Sequence, residues 1–295
     1  MGISWLLTIA AMKGSMTTFI DLLLQPLSYQ FMQRGMIAAI LVGIVCAVVG
    51  TYIVLRGMAF FGDALAHTIL PGIALGYLIS GGARDTLFWW ALGTAVLSAL
   101  GIGAISKNSQ IKEDTAIGII FAGMFALGIA MISTVRSYAV DLSHFLFGDV
   151  LSVSPQNLWL ILIFGGIILL TIFALYKEFM TLSFDPVLAA TLRLPVTLLN
   201  NILLVLIAAT VAVSLQTVGV ALMVAMLVTP AATAYLLTHR LSTMMMLAAV
   251  FASLSGVIGL YLSYYLSIAS GAAIVLTATV FFLLAFGWKR IKNIQ

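Results

Sequence analysis

Long apolar runs separated by short polar breaks fill most of the chain. Nine of these runs approach or exceed the length of a bilayer-crossing helix, which needs about 20 mostly apolar residues. They lie at 36–55, 64–80, 87–106, 115–134, 156–175, 198–215, 217–237, 243–265 and 270–287. The predicted count is eight or nine helices, because the region of Gly62 could interrupt a span and because 198–237 is almost continuously apolar, with Gln216 marking one break. The pattern predicts an all-α polytopic membrane protein, and long runs of this kind are not typical of a membrane β-barrel.

The composition supports a membrane protein. Of 295 residues, 63% are hydrophobic and only 7% are charged, whereas soluble domains carry about 25% charged residues. A chain with so few charges cannot cover a water-facing surface, so a soluble enzyme and a nucleic-acid-binding protein are excluded. The composition therefore predicts that most of the protein's surface faces the lipid bilayer. The single cysteine, Cys46, lies inside an apolar run, and we expect it to be buried.

The basic residues of the predicted loops indicate an orientation. Four of them, Lys13, Arg34, Arg84 and Arg136, lie on one side. The other side holds Arg56, Lys107, Lys112, Lys177, Arg193, Arg240, Lys289, Arg290 and Lys292. The richer side is cytoplasmic by the positive-inside rule. This predicts a cytoplasmic tail at 289–295 and, with nine helices, an external N-terminus. Residues 1–35 are predicted to be an N-terminal extension that could include an interfacial helix.

Two predicted loops are long enough to have a role of their own, an external one at 135–155 and a cytoplasmic one at 176–197. In the second loop, Asp185 and Pro186 form a helix start, with an N-cap followed by proline at the first helical position. The apolar face of this short helix would comprise Leu188, Ala189, Leu192 and Leu194. Pro195 would end it. Such a helix with little charge favours a docking element; the alternative is a helix lying on lipid headgroups.

Asp63 and His67 are the ionisable residues predicted to lie within a span, where charges are costly and usually functional. Their i, i+4 spacing puts a carboxylate and an imidazole on one helix face, which is half of a divalent metal site. Gly62 loosens the backbone before the pair, and Pro71 removes a helical hydrogen bond after it. The alternative is a helix-capping hydrogen bond between the two side chains. Two ligands are too few, so others must come from elsewhere in the chain or from a second chain.

The external loop carries a second group of candidate ligands, Asp141, His144 and Asp149. They could form a metal-capturing mouth, contact a partner protein or simply be solvated. The chain has no G-x-x-x-x-G-K-[ST] motif, so we expect that it does not hydrolyse nucleotide by itself. It also lacks H-E-x-x-H and G-x-S-x-G, the common signatures of membrane metalloproteases and serine hydrolases. We therefore expect no enzyme activity.

Four ordered stretches resemble a known family. Residues 55–76, LRGMAFFGDALAHTILPGIALG, resemble the signature of the bacterial ABC transporter permeases for manganese, zinc and iron, the ABC-3 family. Residues 141–152 (DLSHFLFGDVLS), 184–195 (FDPVLAATLRLP) and 219–235 (GVALMVAMLVTPAATAY) agree in order and spacing. The resemblance runs from about Phe31 to the C-terminus, and it implies that 36–288 is the transmembrane permease domain.

The resemblance implies a transporter subunit in the bacterial cytoplasmic membrane. Its architecture would be similar to that of the vitamin B12 and siderophore importers, with two copies forming a homodimer. Cytoplasmic ATP-binding-cassette ATPases would bind below and use the ATP, and an extracytoplasmic metal-binding protein would deliver the ion. No bound cofactor is implied, and the transported ion would be a divalent transition metal.

The family's functional residues match particular positions here. Asp63 and His67 match the Asp and His of its translocation pathway and are predicted to bind the metal. Asp141, His144 and Asp149 match its outer loop, which would dock the binding protein or act as a gate. The predicted coupling residues toward the ATPase are Phe184, Asp185, Pro186, Leu188, Leu192, Leu194 and Pro195.

The residues leave the metal and the energy source open. Asp with His accepts Mn²⁺, Fe²⁺ or Zn²⁺. The Leu70-Pro71-Gly72 sequence after His67 resembles the manganese and iron branch of the family, so Mn²⁺ is the prediction. A gradient-driven secondary transporter or channel is the alternative of a different class, and the 184–195 sequence argues against it. An intramembrane enzyme would need a third catalytic group at membrane depth, which the sequence does not offer.

Overall fold

The computed structural model describes residues 24–80, 84–108, 111–133 and 150–292. These residues contain α-helices and two short 3₁₀ turns, and no strand. The α-helices are α1 (Gln30–Leu55), α2 (Phe61–Thr68), α3 (Leu70–Ser80), α4 (Arg84–Asn108), α5 (Glu113–Ser133), α6 (Pro155–Ala174), α7 (Tyr176–Phe184), α8 (Pro186–Thr191), α9 (Val196–Val218), α10 (Val220–Leu237), α11 (Leu241–Leu266) and α12 (Ser270–Lys292). Nine stretches of the described chain are long and apolar enough to cross a membrane. The predicted all-α polytopic fold is confirmed.

The ends of several spans differ from the prediction. α1 begins at Gln30 rather than at residue 36, so residues 30–35 belong to the first membrane helix and not to an extension. The continuous apolar run 198–237 is two helices, and they separate at Gly219 rather than at Gln216. Gly219 has φ +79°, a backbone conformation that glycine adopts without steric cost.

α1 is the central helix, packed against α11, α10, α6 and α9. Small residues make its contact with α11 close. A Cβ atom on Gly43 would lie 3.3 Å from that of Ala252, and one on Gly256 would lie 3.1 Å from that of Ala39. Small residues let membrane helices approach in this way. Cys46 lies in this core as expected, with its sulfur 3.2 Å from the hydroxyl oxygen of Ser214.

The second span is broken, as the proline predicted. α2 and α3 are separated at Ile69, and Pro71 has no N–H to donate to the carbonyl of His67, four residues earlier. Gly62 has a different role from the predicted one. It lies inside the first turn of α2, where a Cβ atom would collide with the Leu227 side chain of α10. Gly62 therefore permits close packing of α2 rather than loosening the backbone.

The faces of α5 and α6 that point away from the bundle are apolar. The exposed large side chains on these two helices include Ile119, Leu127, Ile129, Leu162, Ile163, Ile167, Leu170 and Phe173. Lipid or another polypeptide covers such surfaces in a membrane, because water does not reach them there. The described residues thus form a helical bundle around α1, with the broken span α2–α3 packed against α4 and α5.

Candidate metal site and coupling segment

Asp63 and His67 lie one turn apart on the same face of α2, with 3.7 Å between Oδ1 of Asp63 and Nε2 of His67. This distance is longer than a hydrogen bond. The N-cap of α2 is Phe60, and no side chain caps the helix by a hydrogen bond. The geometry therefore does not support the alternative in which Asp63 and His67 form a helix-capping hydrogen bond.

The pair has the spacing of two ligands to one ion. Bonds from a metal to an imidazole nitrogen or a carboxylate oxygen are about 2.0–2.2 Å long. Because 3.7 Å is less than the sum of two such bonds, one ion can contact both atoms. Both side chains are partly exposed, at 32% for Asp63 and 25% for His67, so an ion can reach them.

The pair does not form a complete metal site within the described residues. In that part of the chain no group of three or more His, Cys, Asp or Glu side chains could hold a metal ion. An open coordination sphere suits a site that must bind an ion and then release it.

Two phenylalanines of α5 hold the imidazole of His67. Its ring lies 5.8 Å from that of Phe121 and 5.5 Å from that of Phe125, centroid to centroid, in edge-to-face contacts. Its Nδ1 is buried and has no hydrogen-bond partner among the described residues. A metal-ligating histidine is usually oriented by a hydrogen bond from its second nitrogen. At His67 the two phenylalanine rings pack against the imidazole instead.

Phe121 and Phe125 were not among the residues predicted from the sequence. The available signal was their i, i+4 spacing, which matches that of Asp63 and His67 and puts both rings on one face of α5. That signal does not say which helix the aromatic face meets. The packing of α2 against α5 decides it.

The predicted helix in the 176–197 loop is present as α8. Oδ1 of Asp185 accepts hydrogen bonds from the backbone N–H groups of Val187 at 3.0 Å and Leu188 at 2.9 Å, so Asp185 is the N-cap and Pro186 the first helical residue. The predicted end at Pro195 is wrong. The helix ends at Thr191, and Arg193 takes a left-handed conformation at φ +57°.

The apolar face of α8 also differs from the predicted one. Ala189 is fully buried, and Leu194 is half-buried and lies beyond the helix end. The apolar side chains that point outward, which we call the α8 surface, are Phe184, Val187, Leu188 and Leu192. Val187 is 76% exposed and was not predicted. An exposed apolar surface of this kind is typical of a site that a lipid or a protein partner covers.

The third group of predicted residues, Asp141, His144 and Asp149, lies outside the described residues. Their predicted role in docking or gating stays a prediction.

The nine membrane-length helices of the described residues define a multi-pass membrane protein. Residues 28–289 match the model of the ABC 3 transport family, and the chain belongs to that family. A manganese transport system membrane protein of Halalkalibacterium halodurans is 47% identical over 92% of this chain and 91% of its own length. A chelated iron transport system membrane protein of Yersinia pestis is 37% identical over 95% of this chain and 93% of its own length.

Two solved structures share the fold. The first, PsaBC from Streptococcus pneumoniae in complex with Fab, superposes with a TM-score of 0.77 at 42% identity, covering 92% of this chain and 95% of the other. The second, described as an inward-facing conformation of a metal-chelate type ABC transporter, gives a TM-score of 0.71 at 16% identity, covering 92% and 90%. The expected permease architecture is confirmed.

Proposed function

We propose that this protein is the membrane permease of an ATP-binding-cassette importer that carries Mn²⁺ into the bacterial cytoplasm. The observation that carries the proposal is the Asp63–His67 pair, 3.7 Å apart on a short helix inside a broken membrane span. Broken helices at membrane depth are tolerated where they line a cavity. The family membership and the manganese transport relative support the substrate class.

The donor atoms suit Mn²⁺ without excluding its neighbours. One oxygen and one nitrogen ligand accept Mn²⁺, Fe²⁺ and Zn²⁺, and affinity by itself favours Zn²⁺ over Mn²⁺ at most sites. Selectivity must then come from geometry and from metal availability. An incomplete site is compatible with selection by geometry and availability, because the two ligands of one chain bind any of these ions only weakly. A second copy of the chain would supply the rest in a homodimer.

The α8 surface is the proposed contact with the ATPase. Two of its four exposed apolar side chains, Val187 and Leu188, lie on α8, and the other two, Phe184 and Leu192, flank it. An apolar surface of this size is buried when a partner docks, and the burial stabilises the complex. A docked ATPase that changes shape on ATP binding would then move α8 as a rigid element.

The transport cycle follows from these parts. An extracytoplasmic binding protein releases the ion to the external side of the bundle. Asp63, ionised, and His67, neutral, hold the ion, because both groups must be deprotonated to bind it. ATP binding to the partner changes which side of the bundle is open, and the ion leaves toward the cytoplasm.

Uptake of radioactive Mn²⁺, Fe²⁺ and Zn²⁺ by cells that express the complete transporter tests the proposal. We expect Mn²⁺ uptake in the wild type and its loss in Asp63→Asn and His67→Ala, with membrane levels unchanged. Asp63→Asn removes the charge and keeps the shape. Asp114→Ala and His239→Ala are matched controls, since both residues are exposed and lie outside α2.

Three results would contradict the proposal in different ways. Full Mn²⁺ uptake in Asp63→Asn and His67→Ala would make the pair structural. Uptake of Zn²⁺ or Fe²⁺ alone would change the substrate and keep the site. Uptake in cells that lack the ATPase would indicate a gradient-driven transporter.

A further inference from the structure

Arg56 is a half-buried cation at the end of α1 that the metal site and the α8 surface do not use. Its Nη1 donates a hydrogen bond of 2.6 Å to Oδ1 of Asn200 on α9. The two residues are 144 positions apart in sequence. A hydrogen bond from a charged donor is about twice as strong as a neutral one, so this contact ties α1 firmly to α9.

Asn200 lies close to the proposed coupling segment. α9 begins at Val196, four residues before Asn200 and five residues after the end of α8 at Thr191. Because α8 and α9 are joined by so short a connection, a displacement of α8 reaches the first turns of α9. The Arg56–Asn200 hydrogen bond is formed in those first turns of α9.

On the other side, Arg56 is joined to the metal site by a turn of fixed geometry. Gly57 follows Arg56 and has φ +71°. The N–H of Gly57 donates to the carbonyl of Val54 at 3.2 Å, and the N–H of Met58 donates to the carbonyl of Ile53 at 3.0 Å. These bonds form the Schellman motif that ends α1. The N–H of Phe61, the first residue of α2, donates to the carbonyl of Met58 at 2.9 Å.

A charge on a third element acts on Arg56. Burial lowers the pKa of the Arg56 guanidinium, and the negative charge of Glu113 opposes that shift. Glu113 is the first residue of α5, the helix whose Phe121 and Phe125 contact His67. The guanidinium thus interacts with Asn200 of α9 through a hydrogen bond and with Glu113 of α5 through its charge.

A second contact ties α9 to the neighbouring helix at the same level. Nζ of Lys107, at the end of α4, donates to the hydroxyl of Thr197 at 3.1 Å. This contact is exposed, and a surface contact of this kind contributes little. The Arg56–Asn200 hydrogen bond is therefore the stronger of these two polar contacts of the first turns of α9.

We propose that Arg56 is a coupling residue, which passes a movement of α8 and the first turns of α9 through the 56–60 turn to α2, the helix of the metal site. The inference rests on the proposed function. Arg56 contacts neither the ion nor the ATPase in this role. It acts by keeping Asn200 and the start of α2 in one mechanical unit, so that ATP use below and ion release above occur together.

The test is the number of Mn²⁺ ions transported per ATP hydrolysed, measured in vesicles that contain the permease, its ATPase and its binding protein. Arg56→Ala and Asn200→Leu should each lower this ratio by about fivefold or more, the effect of losing one charge-assisted hydrogen bond. Asn200→Leu matches the amide in size but accepts no hydrogen bond. Asn200→Asp, which keeps the acceptor, should stay within about twofold of the wild type.

The ratio distinguishes coupling from a structural role, because a variant that folds poorly loses transport and ATP hydrolysis together. The double variant Arg56→Ala with Asn200→Leu should be no worse than the worse single variant, since both remove the same contact. Arg240→Ala and Asn201→Ala are the matched controls, of the same residue types at other positions, and should leave the ratio unchanged.

An unchanged ratio in Arg56→Ala and Asn200→Leu would overturn the inference and leave the proposed function intact. Single effects that multiply in the double variant would also overturn it, because the two residues would then act independently. If Arg56→Ala does not reach the membrane, Asn200→Leu against Asn200→Asp decides the question. If wild-type vesicles transport no Mn²⁺, the proposed function fails, and the inference fails with it.

Discussion

The imidazole of His67 packs edge to face against the ring of Phe125, with 5.5 Å between the two centroids. Phe121 contacts the same imidazole and stacks on Phe125 at 5.7 Å. Because Nδ1 of His67 has no hydrogen-bond partner among the described residues, these rings set the direction in which Nε2 points. If the pair binds the ion as proposed, its metal affinity would depend on two side chains that cannot bind a metal through their own atoms.

Replacing Phe125 by Ala should raise the KM for Mn²⁺ uptake and leave kcat nearly unchanged. An aromatic contact of this kind contributes about 0.5–1.5 kcal/mol, so we expect a rise of about two- to tenfold. Initial uptake rates over a range of Mn²⁺ concentrations measure it. Phe251→Ala is the control, since Phe251 pairs with Phe281 rather than with the site. An unchanged KM in Phe125→Ala would show that the ring does not orient His67.

Introducing a charge on the α8 surface should prevent binding of the ATPase without unfolding the permease. Val187 is 76% exposed, so Val187→Glu disturbs no internal packing, whereas a contact with a partner would bury the new carboxylate at high cost. We expect at least about tenfold weaker binding of the ATPase to detergent-purified permease. Val187→Thr, which keeps the shape, should retain most of the binding. Equal binding by both variants would place the ATPase contact elsewhere.

A side chain at Gly57 should destabilise the protein through the backbone alone. A Cβ atom there would meet nothing within 4 Å, but φ is +71°. A non-glycine residue in that region costs about 1–2 kcal/mol. Gly57→Ala should therefore lower the midpoint of thermal unfolding in detergent, and Gly57→Asn should lower it less. Gly118→Ala is the control, because Gly118 is helical with open space around it and should gain stability. A higher midpoint of thermal unfolding in Gly57→Ala would show that a non-glycine residue is not strained at this position.

Cysteine labelling should report the predicted orientation. Cys46 is fully buried, so the wild type should not react with a membrane-impermeant maleimide until it is unfolded. Thr191→Cys, at the exposed end of α8, should react only in inverted vesicles. Leu266→Cys, at the far end of α11 from Arg240, should react only in intact cells. The reverse labelling pattern would show that the membrane orientation predicted from the basic loop residues is wrong.

Much of this protein follows from local features of its sequence. Apolar runs of membrane length predict the spans, because a bilayer leaves few alternatives to a helix. The i, i+4 spacing brings Asp63 and His67 to one face of α2. Asp185 before Pro186 predicts the start of α8, since the cap involves only neighbouring residues. Each of these features depends either on a chain segment shorter than two helical turns or on the average hydropathy of a longer segment.

Tertiary structure decided what depends on contacts between distant segments. The pairing of His67 with Phe121 and Phe125 needs α2 to meet α5, and the Arg56–Asn200 hydrogen bond joins residues 144 positions apart. The packing role of Gly62 depends on where Leu227 lies. A uniformly apolar chain carries little periodicity to say which helix faces meet, because lipid and protein interior are equally apolar. Close packing and hydrogen bonds between helices choose the partners, and these form only in the assembled bundle.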